Sequence, residues 1–145
     1  MKRDGRYELS KKISISFDDF KVSHSADEDI NDALMRCIEE SGLTMAQFAR
    51  KSGITPSSIV RYRKKIAVPS LETIVITCIV TRTNIFQALY LISLAGYNVF
   101  YSDENKVYFL LIILSRYLGI SINTANDILN VFDIKPLNYK RKYIN

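Results

Sequence analysis

Two helix start signals stand close together in the middle of the chain, and they leave room for only one short helix between them. Thr44 precedes an apolar turn, and a threonine in this position accepts a free backbone N–H. Gly53 is typical of a helix end, because glycine adopts a left-handed backbone at little cost. A second helix is expected to start at Thr55-Pro56, because proline is well suited to the first helical position. The sequence therefore predicts two short helices joined by a tight turn.

Helical apolar spacing continues on both sides of this pair. Ile30, Leu34, Cys37 and Ile38 share one face of a helix that we expect to run from Ala26 to Ser41-Gly42. Further helices are predicted over 71–81, 85–95, 103–118 and 121–132, and Pro136 is expected to end the last. Residues 74–77 favour a strand by β-propensity. The helical spacing of Leu71, Ile74 and Cys78 nevertheless leads us to predict a helix for this segment.

The first 28 residues have no long apolar face. Ile13, Ile15 and Phe17 alternate with polar residues, which indicates a short strand that could pair with residues 20–22. A disordered arm fits the same segment equally well, so both interpretations stay open. His24 lies in a polar stretch and is expected to be an ordinary solvated side chain.

The inventory of reactive residues argues against an enzyme and against a metal site. The chain has one histidine and two cysteines, Cys37 and Cys78, with no CxxC spacing and no GxSxG or phosphate-binding glycine motif. We therefore predict no catalytic residues, no metal and no cofactor. The cysteines are expected to pack as small apolar side chains in a reduced, cytoplasmic protein.

Apolar runs between residues 73 and 114 raise the question of a membrane span. They are interrupted by Thr77, Gln87, Ser93 and Gly96, and none reaches the roughly 20 residues that a bilayer requires. We predict no membrane span. These stripes should be core, with part of their surface available to a dimer partner.

The net charge of +5 is unevenly distributed along the chain. Residues 29–42 carry four acidic residues and one basic residue, whereas residues 43–68 carry six basic residues and no acidic one. Two short helices joined at a glycine turn are the geometry of a helix-turn-helix, whose second helix enters the major groove of DNA. In that arrangement Ile59 and Tyr62 would anchor the second helix. The residues that would face outward in part are Ser57, Ser58, Val60, Arg61 and Lys64.

The stretch from Gly42 to Tyr62, GLTMAQFARKSGITPSSIVRY, resembles the lambda-repressor/Cro-like (XRE) helix-turn-helix family. Ala49, Gly53 and Ile59 match its small residue, turn glycine and aliphatic anchor. The resemblance covers about residues 30–96. It implies a mostly α-helical protein with a five-helix DNA-binding domain, and residues 97–137 resemble the helical extension of some bacterial members.

The resemblance also implies roles for individual residues. Thr44, Met45 and Thr55 would contact phosphate, and Pro56, Ser57 and Arg61 would face base edges, with Arg61 able to pair with guanine. The chain departs from the family in three places: Pro56 cannot donate a hydrogen bond, Arg63 replaces a frequent glutamate, and Lys64-Lys65 replace an ending in glycine. Strong phosphate attraction with modest base readout is therefore expected. The full predicted interface comprises Thr44, Met45, Thr55, Pro56, Ser57, Ser58, Arg61, Arg63, Lys64 and Lys65.

These observations predict four segments: an N-terminal arm over 1–28, a DNA-binding domain over 29–96, a helical extension with a role in dimerisation over 97–137, and a basic tail over 138–145. The expected function is that of a homodimeric, sequence-specific regulator of bacterial or phage origin, a repressor that binds double-stranded DNA. The alternative is a protein-interaction module, such as an antitoxin that neutralises a toxin and represses its own promoter.

Overall fold

The computed structural model describes residues 28–137, together with residues 8, 10–12 and 14. Within 28–137 the chain forms helices and no strand, which confirms the mostly α-helical fold class. The helices are α1 (Ile30–Glu40), α2 (Met45–Ser52), α3 (Pro56–Arg63), α4 (Leu71–Val80), α5 (Ile85–Leu94), α6 (Asp103–Leu118) and α7 (Ile122–Val131). The first five make up the predicted five-helix unit, and α6 and α7 form the extension.

A side-chain cap begins each of these helices. Thr44, Thr55 and Ser121 cap α2, α3 and α7 as the sequence indicates, and Pro56 occupies the first turn of α3. The first helix begins later than predicted, at Ile30, because the carboxylate of Asp29 accepts the backbone N–H of Asp32. An N-cap residue has a non-helical backbone, so the helix starts directly after it.

The central helix of the fold is α4, which contacts α1, α2, α5, α6 and α7. Its residues from Ile74 to Ile79 are all buried, as expected of a helix that is surrounded by others. The β-branched residues of this segment are therefore accommodated in a helix, since burial on every side outweighs a modest local preference for a strand.

The last helix ends earlier than the sequence suggests. Asp133 has a left-handed backbone with φ of 56°, and the N–H of Ile134 bonds the carbonyl of Leu129 at 2.9 Å. This pattern satisfies the free carbonyls at a helix end. Pro136 therefore follows the end of α7 and does not cause it.

The N-terminal segment differs from the predicted hairpin where it is described. Residues 8, 10–12 and 14 are helical, so the expected strand is absent at Ser14. Lys12 lies 5.9 Å from the ring centroid of Tyr117 in α6, so this part of the segment contacts the extension. Ile13, Ile15, Phe17, residues 20–22, His24 and the basic tail over 138–145 lie outside the described residues.

None of the helices in the described part of the chain combines the length and the apolar character that crossing a bilayer demands.

Candidate nucleic-acid interface

The turn between α2 and α3 has the geometry expected from its sequence. Thr44 and Gln47 form a reciprocal capping box at the start of α2, with bonds of 3.1 and 2.8 Å between their side chains and backbone N–H groups. Gly53 ends α2 with φ of 72°, and its N–H bonds the carbonyl of Ala49 at 2.8 Å. This positive φ explains the glycine, because a side chain there would strain the backbone. The turn is thereby held by bonds to both helices.

The third helix has one buried side and one exposed side. Ile59 is 1% exposed and Tyr62 packs half-buried against the core, as predicted for the two anchors. Residues one turn apart lie on the same helix face. Ser57, Arg61 and Lys64 follow that spacing and are all exposed, and Val60 lies beside them at 41% exposure. Among the described residues, the predicted reading face is therefore exposed.

The predicted phosphate contacts at the helix starts are placed differently from one another. Thr44 is exposed, and Met45 is half-buried against the core. Thr55 is 7% exposed, and its hydroxyl accepts the N–H of Ser58 and donates to the Ser58 hydroxyl at 2.9 Å. The hydroxyl of Ser57 lies 3.1 Å from the same oxygen. The Thr55 side chain thus serves the helix start, and Ser57 is the exposed hydroxyl beside it.

Four cations occupy the end of α3 and the turn that follows. Arg61, Arg63 and Lys64 are exposed and have no ion pair among the described residues. Lys65 differs, because its ammonium lies 2.8 Å from a carboxylate oxygen of Asp29 and 3.0 Å from one of Asp32. The hydrogen bonds with these two carboxylates raise the pKa of Lys65, and the bond from Lys65 lowers the pKa of Asp29.

Lys65 has a left-handed backbone at the end of α3. Lys65 has φ of 60°, and the N–H groups of Lys65 and Ile66 bond the carbonyls of Tyr62 and Arg61. This is the Schellman ending, in which glycine usually takes the left-handed position. The ion pairs with α1 hold the lysine side chain where the family places a glycine.

Asn31, which lies outside the interface predicted from the sequence, supports the same turn. It is 5% exposed, and its side-chain amide donates to the backbone carbonyls of Tyr62 at 2.9 Å and Ala67 at 2.8 Å. The sequence does carry a signal for this role, because Asn31 precedes Leu34 and Ile38 at apolar helical spacing. A polar residue on an apolar face needs hydrogen-bond partners when it is buried.

In the described part of the chain, no three histidine, cysteine, aspartate or glutamate side chains are grouped so that they could hold a metal. Cys37 and Cys78 are buried in α1 and α4, and the structure leaves both as free thiols.

Comparison with known proteins bears on the same helices. Residues 34–77, from the middle of α1 to the middle of α4, match the family model described as helix-turn-helix. The curated proteins and the solved structures that were compared give no match. The matched segment contains the capped helix pair, the turn glycine and the exposed basic face. Residues 34–77 therefore carry a helix-turn-helix of the lambda-repressor/Cro-like (XRE) type.

Proposed function

We propose that the protein is a homodimeric, sequence-specific transcriptional repressor that reads the major groove with residues 55–64. The observation that carries this proposal is the outward face of α3, on which Ser57, Val60, Arg61 and Lys64 lie side by side with no carboxylate in residues 43–68. An unpaired guanidinium can bond two acceptors of guanine, and a valine methyl can contact the methyl group of thymine.

The remaining interface residues serve attachment in this proposal. Arg63 and Lys64 neutralise phosphates, and Thr44, Met45 and the backbone around Thr55 lie at the helix ends that approach the duplex. Pro56 and Ser58 shape the start of α3. Lys65 contributes less than Lys64 to the attraction of DNA phosphates, because its charge is already balanced by the carboxylates of Asp29 and Asp32.

An apolar surface on the extension supports the homodimer. Phe100 and Tyr101, in the turn between α5 and α6, are 72% and 85% exposed, and Tyr97 lies nearby in the chain at 43%. The side chain and carbonyl of Asn98 accept the N–H groups of Phe100 and Tyr101. Exposed aromatic residues on an ordered backbone are typical of protein interfaces. A second copy would let two α3 helices reach successive major grooves, about 34–36 Å apart.

The DNA-binding experiment begins with selection of duplexes from a random-sequence library, followed by fluorescence-anisotropy titration over a range of salt concentrations. We expect an enriched, two-fold-related sequence. Arg61→Ala should cost about 1–3 kcal/mol on that sequence and relax its specificity. Lys64→Ala should weaken all duplexes alike and reduce the salt slope by about 1.

Lys106→Ala, in α6, is the matched control for loss of one positive charge. It should leave affinity and salt dependence unchanged. Binding that ignores salt, or that survives the combined Arg61→Ala and Lys64→Ala changes, would contradict the proposal. Repression itself is tested with a reporter gene downstream of the selected sequence, where activation of the reporter would contradict a repressor.

Light scattering coupled to size-exclusion chromatography tests the dimer. We expect a dimer for the unmodified chain and a monomer after Phe100→Ser with Tyr101→Ser, whereas serine at the exposed Val131 should change nothing. The antitoxin alternative would use the same aromatic surface for another protein. A monomeric protein that copurifies from its native host with a toxin encoded by a neighbouring gene would favour that alternative over the homodimer.

A further inference from the structure

A cavity of about 290 Å³ lies between the helix-turn-helix unit and the extension. The end of α2, the end of α4, and the turn that leads into α7 form its walls. Its volume is close to the lower end of the range for small-molecule sites. None of the residues in the proposed DNA-reading face of α3 lines this cavity, so the proposed function leaves it unexplained.

The lining combines an apolar surface with positive charge. Ile79, Val80 and Ile122 contribute the apolar part, whereas the charged residues are Arg50, Lys51 and Arg82. No carboxylate is among the described residues that line the cavity. Arg50 and Lys51 are exposed and have no ion pair within the described part of the chain, so their charges are available to a ligand.

The third cation is held in place before any ligand binds. Arg82 has φ of 52°, and its guanidinium donates to the carbonyls of Ser115 and Arg116 at 3.1 and 3.3 Å. Arg116 in turn donates to the Arg82 carbonyl at 3.1 Å. Backbone strain that is held by such bonds is characteristic of functional positions. A preorganised guanidinium also loses less conformational entropy when it binds an anion.

The cavity is also separated from the end of α2 that we assign to DNA. Thr44 caps the start of α2, whereas Arg50 and Lys51 lie in its last turn. The eight residues of this helix span about 12 Å, at roughly 1.5 Å per residue. Positive charge in a last turn also complements the helix dipole, but that role does not require an apolar cavity beside it.

We propose that this cavity binds a small organic anion, a molecule with an apolar body and one carboxylate or phosphate group. The apolar body lies against Ile79, Val80 and Ile122, and the anionic group meets Arg50, Lys51 and Arg82. A ligand bound there contacts both the helix-turn-helix unit and the extension, so it stabilises their packing by binding the folded state alone.

Titration of the full-length, ¹⁵N-labelled protein with benzoate and with phenyl phosphate tests the site. Two-dimensional ¹H–¹⁵N spectra should show saturable shifts confined to residues 50–51, 79–82 and 119–123, and the melting temperature should rise. The two probes distinguish a carboxylate from a phosphate group. Inorganic phosphate supplies the charge without an apolar body, and benzyl alcohol supplies the ring without the charge. Both should bind much more weakly.

Lys51→Gln should weaken the better probe by about tenfold, as expected for loss of one charge-assisted contact. Arg50→Gln provides a second variant with the same expectation, and Lys135→Gln, at an exposed position outside the cavity, is the matched control. The proposal is overturned if no probe shifts these residues, if inorganic phosphate or benzyl alcohol binds equally well, or if Lys135→Gln has the same effect. It is also overturned if a DNA duplex, instead of the small anions, shifts the cavity residues.

Discussion

Asn31 and Tyr62 are joined by a hydrogen bond of 2.9 Å from the side-chain amide in α1 to the backbone carbonyl near the end of α3. The same amide donates to Ala67 at 2.8 Å. One buried side chain thereby ties the reading helix and the turn after it to the first helix. Lys65 adds a second link through its ion pairs with Asp29 and Asp32. The position of α3 is therefore set by α1 as well as by its own turn.

Asn31→Ala should lower the free energy of unfolding by about 2 kcal/mol, because two partly buried carbonyls lose their donor. Urea denaturation measures the change. DNA affinity should fall as well, since the end of α3 is less firmly held. Asn130→Ala, at an exposed position of α7, is the control and should be neutral. A loss at Asn31 no larger than at Asn130 would show that the amide bonds do not support α3.

Substitutions at Lys65 should separate backbone strain from the ion pairs. Lys65→Ala removes the ion pairs and keeps a side chain at φ of 60°, whereas Lys65→Gly removes both. The glycine variant should therefore be more stable than the alanine variant by about 1 kcal/mol in thermal or urea unfolding. Equal stability of the two variants would indicate that the left-handed backbone at this position carries no cost.

The ion pair at Lys65 should also give the protein a measurable acid dependence. The pKa of Asp29 is lowered from its ordinary value of 3.8, chiefly by the hydrogen bond from Lys65. A carboxyl group with a lowered pKa in the folded state stabilises the protein at pH values above its ordinary pKa. This contribution is lost as the pH falls through the folded-state pKa. The difference in unfolding free energy between the unmodified protein and Lys65→Gln should be constant near neutral pH and shrink below 3.8.

Asp29→Asn, measured over the same pH range, identifies the carboxyl group responsible. In that background Lys65→Gln should show a much weaker acid dependence. If the stability difference between the unmodified protein and the Lys65→Gln variant stays constant down to the lowest pH, the assignment is wrong.

The buried thiols should be unreactive in the folded protein. Burial raises the pKa of Cys37 to about 12 and raises that of Cys78 well above 9.0. The thiolate is the reactive form, so a disulfide reagent at about pH 8 should modify neither cysteine until the protein is unfolded. The free energy of unfolding should also decline as the pH rises above 9.0, the ordinary pKa of a cysteine thiol. The thiols of the unfolded chain ionise at lower pH than the buried thiols of the folded protein. Rapid labelling of the native protein would contradict this burial.

The local features of the fold could be predicted from the sequence because each depends on a few neighbouring residues. The caps at Thr44 and Thr55, the turn at Gly53 and the acid-free basic stretch over 43–68 follow from side-chain hydrogen bonding, backbone freedom and charge. The buried anchor Ile59 follows from helical spacing. These features are enough to predict two short helices with a basic exposed face.

Which of those polar groups face outward depends on tertiary packing, and the sequence pattern does not reveal it. Lys64 and Lys65 are adjacent in the sequence, yet Lys64 is free of ion pairs among the described residues, and Lys65 turns back to Asp29 and Asp32. Asn31 supports α3 because folding brings it to Tyr62 and Ala67, which lie 31 and 36 positions further along the chain. Such contacts depend on how helices pack, and helical spacing reports only which face is buried and not which partner buries it.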